Sequence, residues 1–206
     1  MKNKSARWNN ALAEVPDTRE IRKRALIMAA GRVFGTKGFH NTTLDDIAQA
    51  LSVTKPALYR YVESKHEILF ECHRMAVGMA EEALTEAQQN ASTPLARLRQ
   101  FAALYIRKMT SDLGTCVVLT EYYSMTPKHT EVIQRRRRVL DSELRGLVQQ
   151  AMDEGQIAPC DSKLAVFFFM GAINNINRWF TDDGPLTGEQ IAQVFADHAI
   201  ACLTPI

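Results

Sequence analysis

Between Thr43 and Val62 the sequence carries two short stretches of helical periodicity joined by only two or three residues, and this spacing leaves few folds open. Leu44, Ile47, Ala48 and Leu51 recur at i, i+3, i+4 and i+7 after a start signal at Thr43. The Ser52-Val53 junction interrupts the helix and Thr54 restarts it; Pro56 fits there because first-turn amides have no intrahelical partner. Two helices joined so closely must cross steeply, which is how a helix-turn-helix unit presents its second helix to the major groove of DNA. Ala48 is small at the crossing, Val53 is apolar in the turn, and Leu58 and Val62, at i and i+4, face the core. The opposite face then carries Thr54, Lys55, Ala57, Arg60 and Tyr61, with Tyr59 at its edge. These supply donors for phosphates and bases and aromatic surface for thymine methyls. An ordinary helical hairpin with a solvated outer face fits the same pattern.

Charge distribution favours the nucleic-acid reading. The formal net charge is only +2, but residues 1–74 hold 13 Lys/Arg against 8 Asp/Glu, while the rest hold 12 against 15. A basic third on an otherwise acidic chain is the electrostatic footprint of a nucleic-acid-binding module fused to something else. With 46% apolar residues over a length of 206, the chain can bury a sizeable core, which excludes disorder as its main state. The longest apolar run, Leu164 to Ile173, is half of the roughly 20 residues a membrane-spanning helix needs, so no membrane partner is expected. Met1 to Pro16 lacks the apolar stretch of a secretion signal, and a cytoplasmic location is expected. Cys72, Cys116, Cys160 and Cys202 are too far apart for a metal knuckle or redox motif and read as buried thiols. His66 and His73, near Glu67 and Glu71, lie two turns apart; neither a metal nor a cofactor is implied.

Start and stop signals elsewhere predict an all-α chain of about nine helices. Asp17 and Glu20 form a D-x-x-E pattern opening a first helix, whose stripe of Leu26, Ile27, Ala30, Val33 and Phe34 runs to a stop at Gly38. Ser64 and Glu67 open a long helix reaching about Gln89. Breaks follow at Thr93-Pro94, near Gly114 and at Thr126-Pro127; a very apolar helix covers Ser162 to Phe180, and Thr187 with Gln190 opens the last. The expected organisation is a flexible arm over residues 1–18, a DNA-binding domain over 19–74 with its motif at 43–62, and a larger helical domain over 75–206.

The segment TTLDDIAQALSVTKPALYRYVESKHEIL, Thr42 to Leu69, resembles the signature of TetR-family transcriptional regulators. The preceding ALIMAAGRVFGTKGFHNTT, Ala25 to Thr43, resembles that family's first helix and its Gly-aromatic stop, so the likeness covers residues 19 to 74. Ser52, where Gly or Asn is usual in the turn, and Val62, in place of the usual Phe, depart from it. The resemblance implies that Thr43 and Lys65 anchor phosphates, that Tyr59 and Tyr61 grip the backbone, and that Thr54, Lys55, Ala57 and Arg60 read bases. Arg19, Arg22, Lys23 and Arg24 either extend the phosphate footprint or form a solvated basic face. The resemblance further implies a homodimer on double-stranded DNA with a palindromic operator, repressing until a small-molecule effector binds.

In TetR-like proteins the larger module binds ligand and dimerises. Phe167, Phe168, Phe169, Met170 and Ile173 make the 162–180 helix apolar nearly all round, so burial on more than one side is expected. With the stripe of Ile191, Val194, Phe195, His198 and Cys202 it can build a four-helix seam, for which Phe168, Trp179, Ile191, Phe195 and His198 are the candidates. Asn174 to Phe180, followed by DDGPLTGEQIA, resembles the C-terminal helices of TetR-like regulators that respond to fatty or acyl-thioester ligands. Tyr105, Met109, Leu119, Tyr122, Tyr123, Asn174, Asn175 and Arg178 are therefore the candidate lining of a lipophilic pocket, although core packing explains the apolar ones equally. Arg135 to Arg138 read as a mainly solvated run, from which Arg136 or Arg137 could meet an anion. Two alternatives to a ligand-released repressor stand beside it: a small helical enzyme with a site among Tyr122, Tyr123, Asn174 and Arg178, or a regulator that activates or needs a corepressor. No catalytic motif is present to support an enzyme.

Overall fold

A computed structural model describes residues 18–111, 122–181 and 183–203. Among these residues the fold is all-α, with eight α-helices rather than about nine: α1 (Thr18–Lys37), α2 (Leu44–Ala50), α3 (Lys55–Leu58), α4 (Lys65–Asn90), α5 (Pro94–Met109), α6 (Pro127–Asp153), α7 (Ser162–Asn174) and α8 (Gly188–Ala201). Short 3-10 turns lie at Tyr122–Ser124 and Ile176–Arg178. Asp17, Gly114, Cys116 and Leu119 fall outside the described residues. No described helix is long and apolar enough to cross a membrane.

Local signals account for most helix ends. Gly38 stops α1 at φ +77°, a conformation that costs glycine little. Thr93 caps α5 by accepting from the Ala96 amide, and Thr187 with Gln190 forms a complete capping box on α8. The 162–180 helix is shorter than expected. It starts at Ser162, where Asp161 accepts from the Lys163 and Leu164 amides, but ends at Asn174, because the consecutive asparagines are poor helix formers and give way to the 3-10 turn.

The chain divides into two units, with the change falling inside α4 after Arg74. In the N-terminal unit, Leu26, Ile27, Ala30 and Phe34 of α1 form one core with Ile47 and Ala48 of α2, Leu58, Val62, and Ile68 and Leu69 of α4. Phe39, buried in the loop after α1, meets Phe34 edge-on at 5.2 Å between ring centres. Residues 122–130 also belong to this unit, a grouping the sequence did not disclose.

In the C-terminal unit, Phe101, Tyr105, Ile106 and Met109 of α5 are buried, as are Leu144 and Val148 of α6, Val166, Phe169 and Ile173 of α7, and Ile191, Ala192 and Ala196 of α8. α5 and α8 approach so closely that a Cβ on Gly188 would lie 2.1 Å from the Thr110 hydroxyl. Arg99 with Asp197 and Arg107 with Glu189 pair across the same contact, at 2.6 and 2.5 Å. Within one protomer α7 is covered on one side, leaving Leu164, Phe167 and Phe168 at 63%, 55% and 65% exposure, the side for which a seam with a second copy is expected. One expectation fails: Cys160 and Cys202 are exposed because they occupy a loop and a helix end instead of helix faces.

Candidate nucleic-acid interface

The turn between α2 and α3 is built from backbone hydrogen bonds. Ser52 donates its amide to the Gln49 carbonyl and Val53 donates to that of Ala48, the paired bonds of a Schellman stop. Ser52 takes φ +55°, so the residue that departs from the family pattern occupies the left-handed position. Thr54 then starts α3 without using its side chain as a cap, which leaves its exposed hydroxyl free of that duty. Leu58 and Val62 turn inward and are buried, so Tyr59 and Arg60 are exposed, with Ala57 and Tyr61 half-buried beside them. All eight sequence-derived DNA-contact candidates lie in this unit, but three already have partners.

Thr43 caps α2: its hydroxyl accepts from the Asp46 amide at 3.2 Å, while its own amide donates to the Asp46 carboxylate at 2.8 Å. Lys37 donates to that carboxylate at 2.7 Å, and with the Thr43 contacts holds it well below the ordinary aspartate range. Lys55 donates to Asp45 at 2.8 Å, a hydrogen bond that raises its ammonium above the ordinary lysine range. This pair is exposed and therefore weak, so Lys55 can exchange Asp45 for another acceptor at little cost. Lys65 is the most committed of the three. Its ammonium donates to the carbonyls of Phe39 at 2.7 Å and Thr42 at 2.9 Å and lies 4.3 Å above the Phe39 ring.

The basic face of α1 is divided. Lys23 donates to Glu71 at 2.9 Å, and Arg74 donates to the other oxygen of that carboxylate at 2.6 Å. Burial raises the Glu71 carboxyl, but the two basic partners outweigh it and hold it below the ordinary glutamate range. Arg19 and Arg24 remain exposed and Arg22 is half-buried. Three contacts that sequence reasoning missed fasten residues 122–130 within this unit: His40 to the Ser124 hydroxyl at 3.2 Å, His73 edge-on to Tyr122, and His129 stacked on Phe70 at 4.2 Å. No spacing rule links residues so distant in sequence, so nothing local signals them.

The ligand candidates are divided between the two units. Tyr105 and Met109 are buried, and the Tyr105 hydroxyl donates to Asn174 Oδ1 at 3.3 Å. Burial pushes the Tyr105 phenol up to about 12, against an opposing pull from the Arg137 charge. Asn175 and Arg178 are exposed, because α7 has already ended before them. Tyr122 and Tyr123 belong to the N-terminal unit, and Tyr123 is 97% exposed. Arg136 is paired with Glu81 through two hydrogen bonds, one of them from Nε at 2.9 Å. Among the dimer candidates, Phe168, Trp179 and His198 are exposed and Phe195 is half-buried, 6.0 Å from Trp179 between ring centres. Ile191 is buried inside its own unit, facing the core instead of a seam. Phe168, Phe169, Ile173, Val194 and Phe195 line an apolar groove of about 300 Å³ between α7 and α8. No group of three His, Cys, Asp or Glu capable of holding a metal occurs among the described residues.

Two family models match the chain. One, bacterial regulatory proteins of the tetR family, matches residues 26–72, and the other, the tetracyclin repressor-like C-terminal domain, matches residues 91–203. The chain is 28% identical to the uncharacterized HTH-type transcriptional regulator YhgD of Bacillus subtilis, over 89% of this chain and 97% of that protein. The crystal structure of AibR in complex with isovaleryl coenzyme A and operator DNA matches with a TM-score of 0.75 at 29% identity, covering 89% of this chain and 98% of that one. The structure of the ketosteroid transcriptional regulator KstR2 of Mycobacterium tuberculosis matches in fold with a TM-score of 0.81 at 21% identity, covering 94% and 98%.

Proposed function

Since the chain belongs to the TetR family of helix-turn-helix transcriptional regulators, we propose that it is a homodimeric repressor, held on a palindromic operator until a small lipophilic acid or acyl thioester binds. The observation that carries the DNA-reading part is the outward face of 54–61. Leu58 and Val62 are fixed in the core, so Thr54, Tyr59 and Arg60 point away from it, and the Thr54 hydroxyl makes no cap bond. In this reading Arg60, Thr54, Lys55 and Ala57 contact base edges, while Thr43, Tyr59 and Tyr61 hold phosphates. Lys65 acts chiefly through the α1–α2 loop that carries Thr43.

The dimer reading rests on Leu164, Phe168 and Val194, large apolar side chains left exposed on α7 and α8, where Phe168 and Val194 line one groove; exposed apolar surface of this kind marks an interaction site. A two-fold seam there imposes its symmetry on the operator. The acyl ligand is supported by AibR, whose structure contains isovaleryl coenzyme A, and by the Tyr105–Asn174 hydrogen bond, which joins a buried phenol to a polar residue at the end of the apolar helix α7 in the larger unit. A ligand shifts the DNA equilibrium only by binding the free and DNA-bound states unequally, so acyl thioesters and free acids of graded chain length should dissociate a labelled protein–DNA complex. Full retention of the complex with every compound, under conditions where DNA binding is intact, rejects the acyl assignment. Fluorescence anisotropy on duplex DNA tests the DNA part separately: affinity should fall steeply with salt as phosphate contacts are lost, and salt-independent binding contradicts it.

A further inference from the structure

In the larger unit one arginine stands on an inward-facing stripe. Ile133, Leu140 and Leu144 of α6 are buried, and position 137 falls on the same line, four residues after the first and three before the second. Arg137 therefore points toward the core of its own unit, where it is half-buried, whereas its neighbour Arg136 turns aside to pair with Glu81. What faces it follows from two contacts. The Arg145 guanidinium lies 5.5 Å from the centre of the Phe167 ring, which brings α6 against α7 near their joined ends and sets the two helices antiparallel. About two turns back along α6 from Arg145 is Arg137, and about two turns forward along α7 from Phe167 is Asn174, so this pairing sets Arg137 opposite Asn174. Asn174 in turn accepts from the buried Tyr105 hydroxyl of α5 at 3.3 Å, and the Arg137 charge acts on that same phenol. Asn174 thus turns its amide oxygen into the core of the unit, away from the groove between α7 and α8. A guanidinium, a phenol and a primary amide from three helices converge at one place.

The chemistry of these groups matches an anion. Burial keeps the Tyr105 phenol protonated and therefore a donor, and its hydrogen bond to Oδ1 fixes the Asn174 amide with Nδ2, a second donor, on the other side. Arg137 adds a planar fork of N–H donors that fits a carboxylate or a phosphate. A neutral carbonyl can accept from such groups but brings no charge opposite to the guanidinium, whose surroundings on the Ile133–Leu140 stripe are apolar. We infer that Arg137, with Asn174 held in place by Tyr105, anchors a negatively charged oxygen group of the effector, either the carboxylate of a free acid or a phosphate of a coenzyme A thioester. This assignment rests on the acyl reading above and adds to it that charge, and not the acyl chain alone, selects the ligand. Tyr105 is a positioning residue that acts through Asn174.

Calorimetric titration of the full chain, without DNA, tests the anchor. The probes are octanoic acid, octanoyl coenzyme A and octanoyl-N-acetylcysteamine, a thioester with the same acyl chain and no charge, together with the three isovaleryl counterparts. In the wild type the uncharged thioester should bind at least about tenfold more weakly than the charged compound of the same chain, the scale of a lost hydrogen bond to a charged group. Tight binding of the acid alone identifies a carboxylate, and tight binding of the coenzyme A thioester alone identifies a phosphate. Arg137→Gln should remove the difference by weakening the charged compound only, and Arg137→Lys, which keeps the charge, should restore part of it. The wild-type comparison needs no variant and stands even where glutamine unfolds the chain. Equal affinity for charged and uncharged thioesters, or an equal loss for both in Arg137→Gln, overturns the anchor and leaves the acyl reading in place; binding of none of the six compounds rejects both.

Discussion

Lys65 binds both halves of Phe39: its ammonium donates to the Phe39 carbonyl at 2.7 Å and lies 4.3 Å above the ring of the same residue. One side chain at the start of α4 therefore fixes the backbone and the side chain of the loop between α1 and α2, with Thr42 as its second carbonyl acceptor.

Lys65→Met retains the aliphatic stem but leaves those carbonyls without their charged donor. It should destabilise the protein by about 1–2 kcal/mol in urea unfolding, the scale of hydrogen bonds to a charged group that is half-buried. Tyr59→Ala, at an exposed site, should instead lower affinity for specific and non-specific DNA alike while changing stability by less than about 0.5 kcal/mol. Unaltered stability in Lys65→Met would remove the brace from the account.

Ser52→Gly should stabilise the protein. Ser52 holds φ +55° in the turn before α3, a region that costs a residue with a Cβ about 1 kcal/mol or slightly more relative to glycine. A rise in the unfolding midpoint with unchanged operator affinity is expected, since no hydrogen bond of the turn involves the serine hydroxyl; a lowered midpoint contradicts the assignment of strain.

Much of this architecture was legible because it is local. The capping of α8 by Thr187 and Gln190, the stop at Gly38 and the inward pair Leu58 and Val62 each follow from residues within one or two turns. Ser64 illustrates a partial reading: it accepts from the Glu67 amide as expected, but the Glu67 carboxylate reaches the Glu63 amide instead of closing the box on Ser64. What stayed hidden depends on partners distant in sequence. Apolarity all round α7 could not say that Val166, Phe169 and Ile173 are covered while Leu164, Phe167 and Phe168 are not. The basic character of Lys23, Lys55 and Lys65 likewise gave no hint that Glu71, Asp45 and two loop carbonyls would take them up.

Glu71 makes stability depend on acid. Lys23 and Arg74 hold its carboxyl below the ordinary value of 4.5, so its contribution is complete above that value and disappears as pH falls through the lower folded value. The stability difference between wild type and Glu71→Gln should therefore be largest near neutrality and shrink below about pH 4.5. Urea midpoints measured across that interval decide it; a difference that stays constant with pH excludes the ion pairs as its source.

Phe168→Glu should separate the subunits. Phe168 is 65% exposed on the α7–α8 surface, so a buried carboxylate would disrupt a seam there while leaving the protomer core intact. Sedimentation should give the mass of one chain for the variant and two for the wild type. A dimer that survives in the variant moves the interface elsewhere.

The most direct test of operator reading by α3 is selection of binding sites from a random duplex library, run in parallel with the wild-type chain and Arg60→Ala. The wild type should enrich a two-fold-symmetric site, and the variant should keep the half-site spacing while losing preference at one or two positions of each half, equivalent to about 1–3 kcal/mol on the wild-type site. An asymmetric consensus, or one that Arg60→Ala leaves unchanged, would contradict the account.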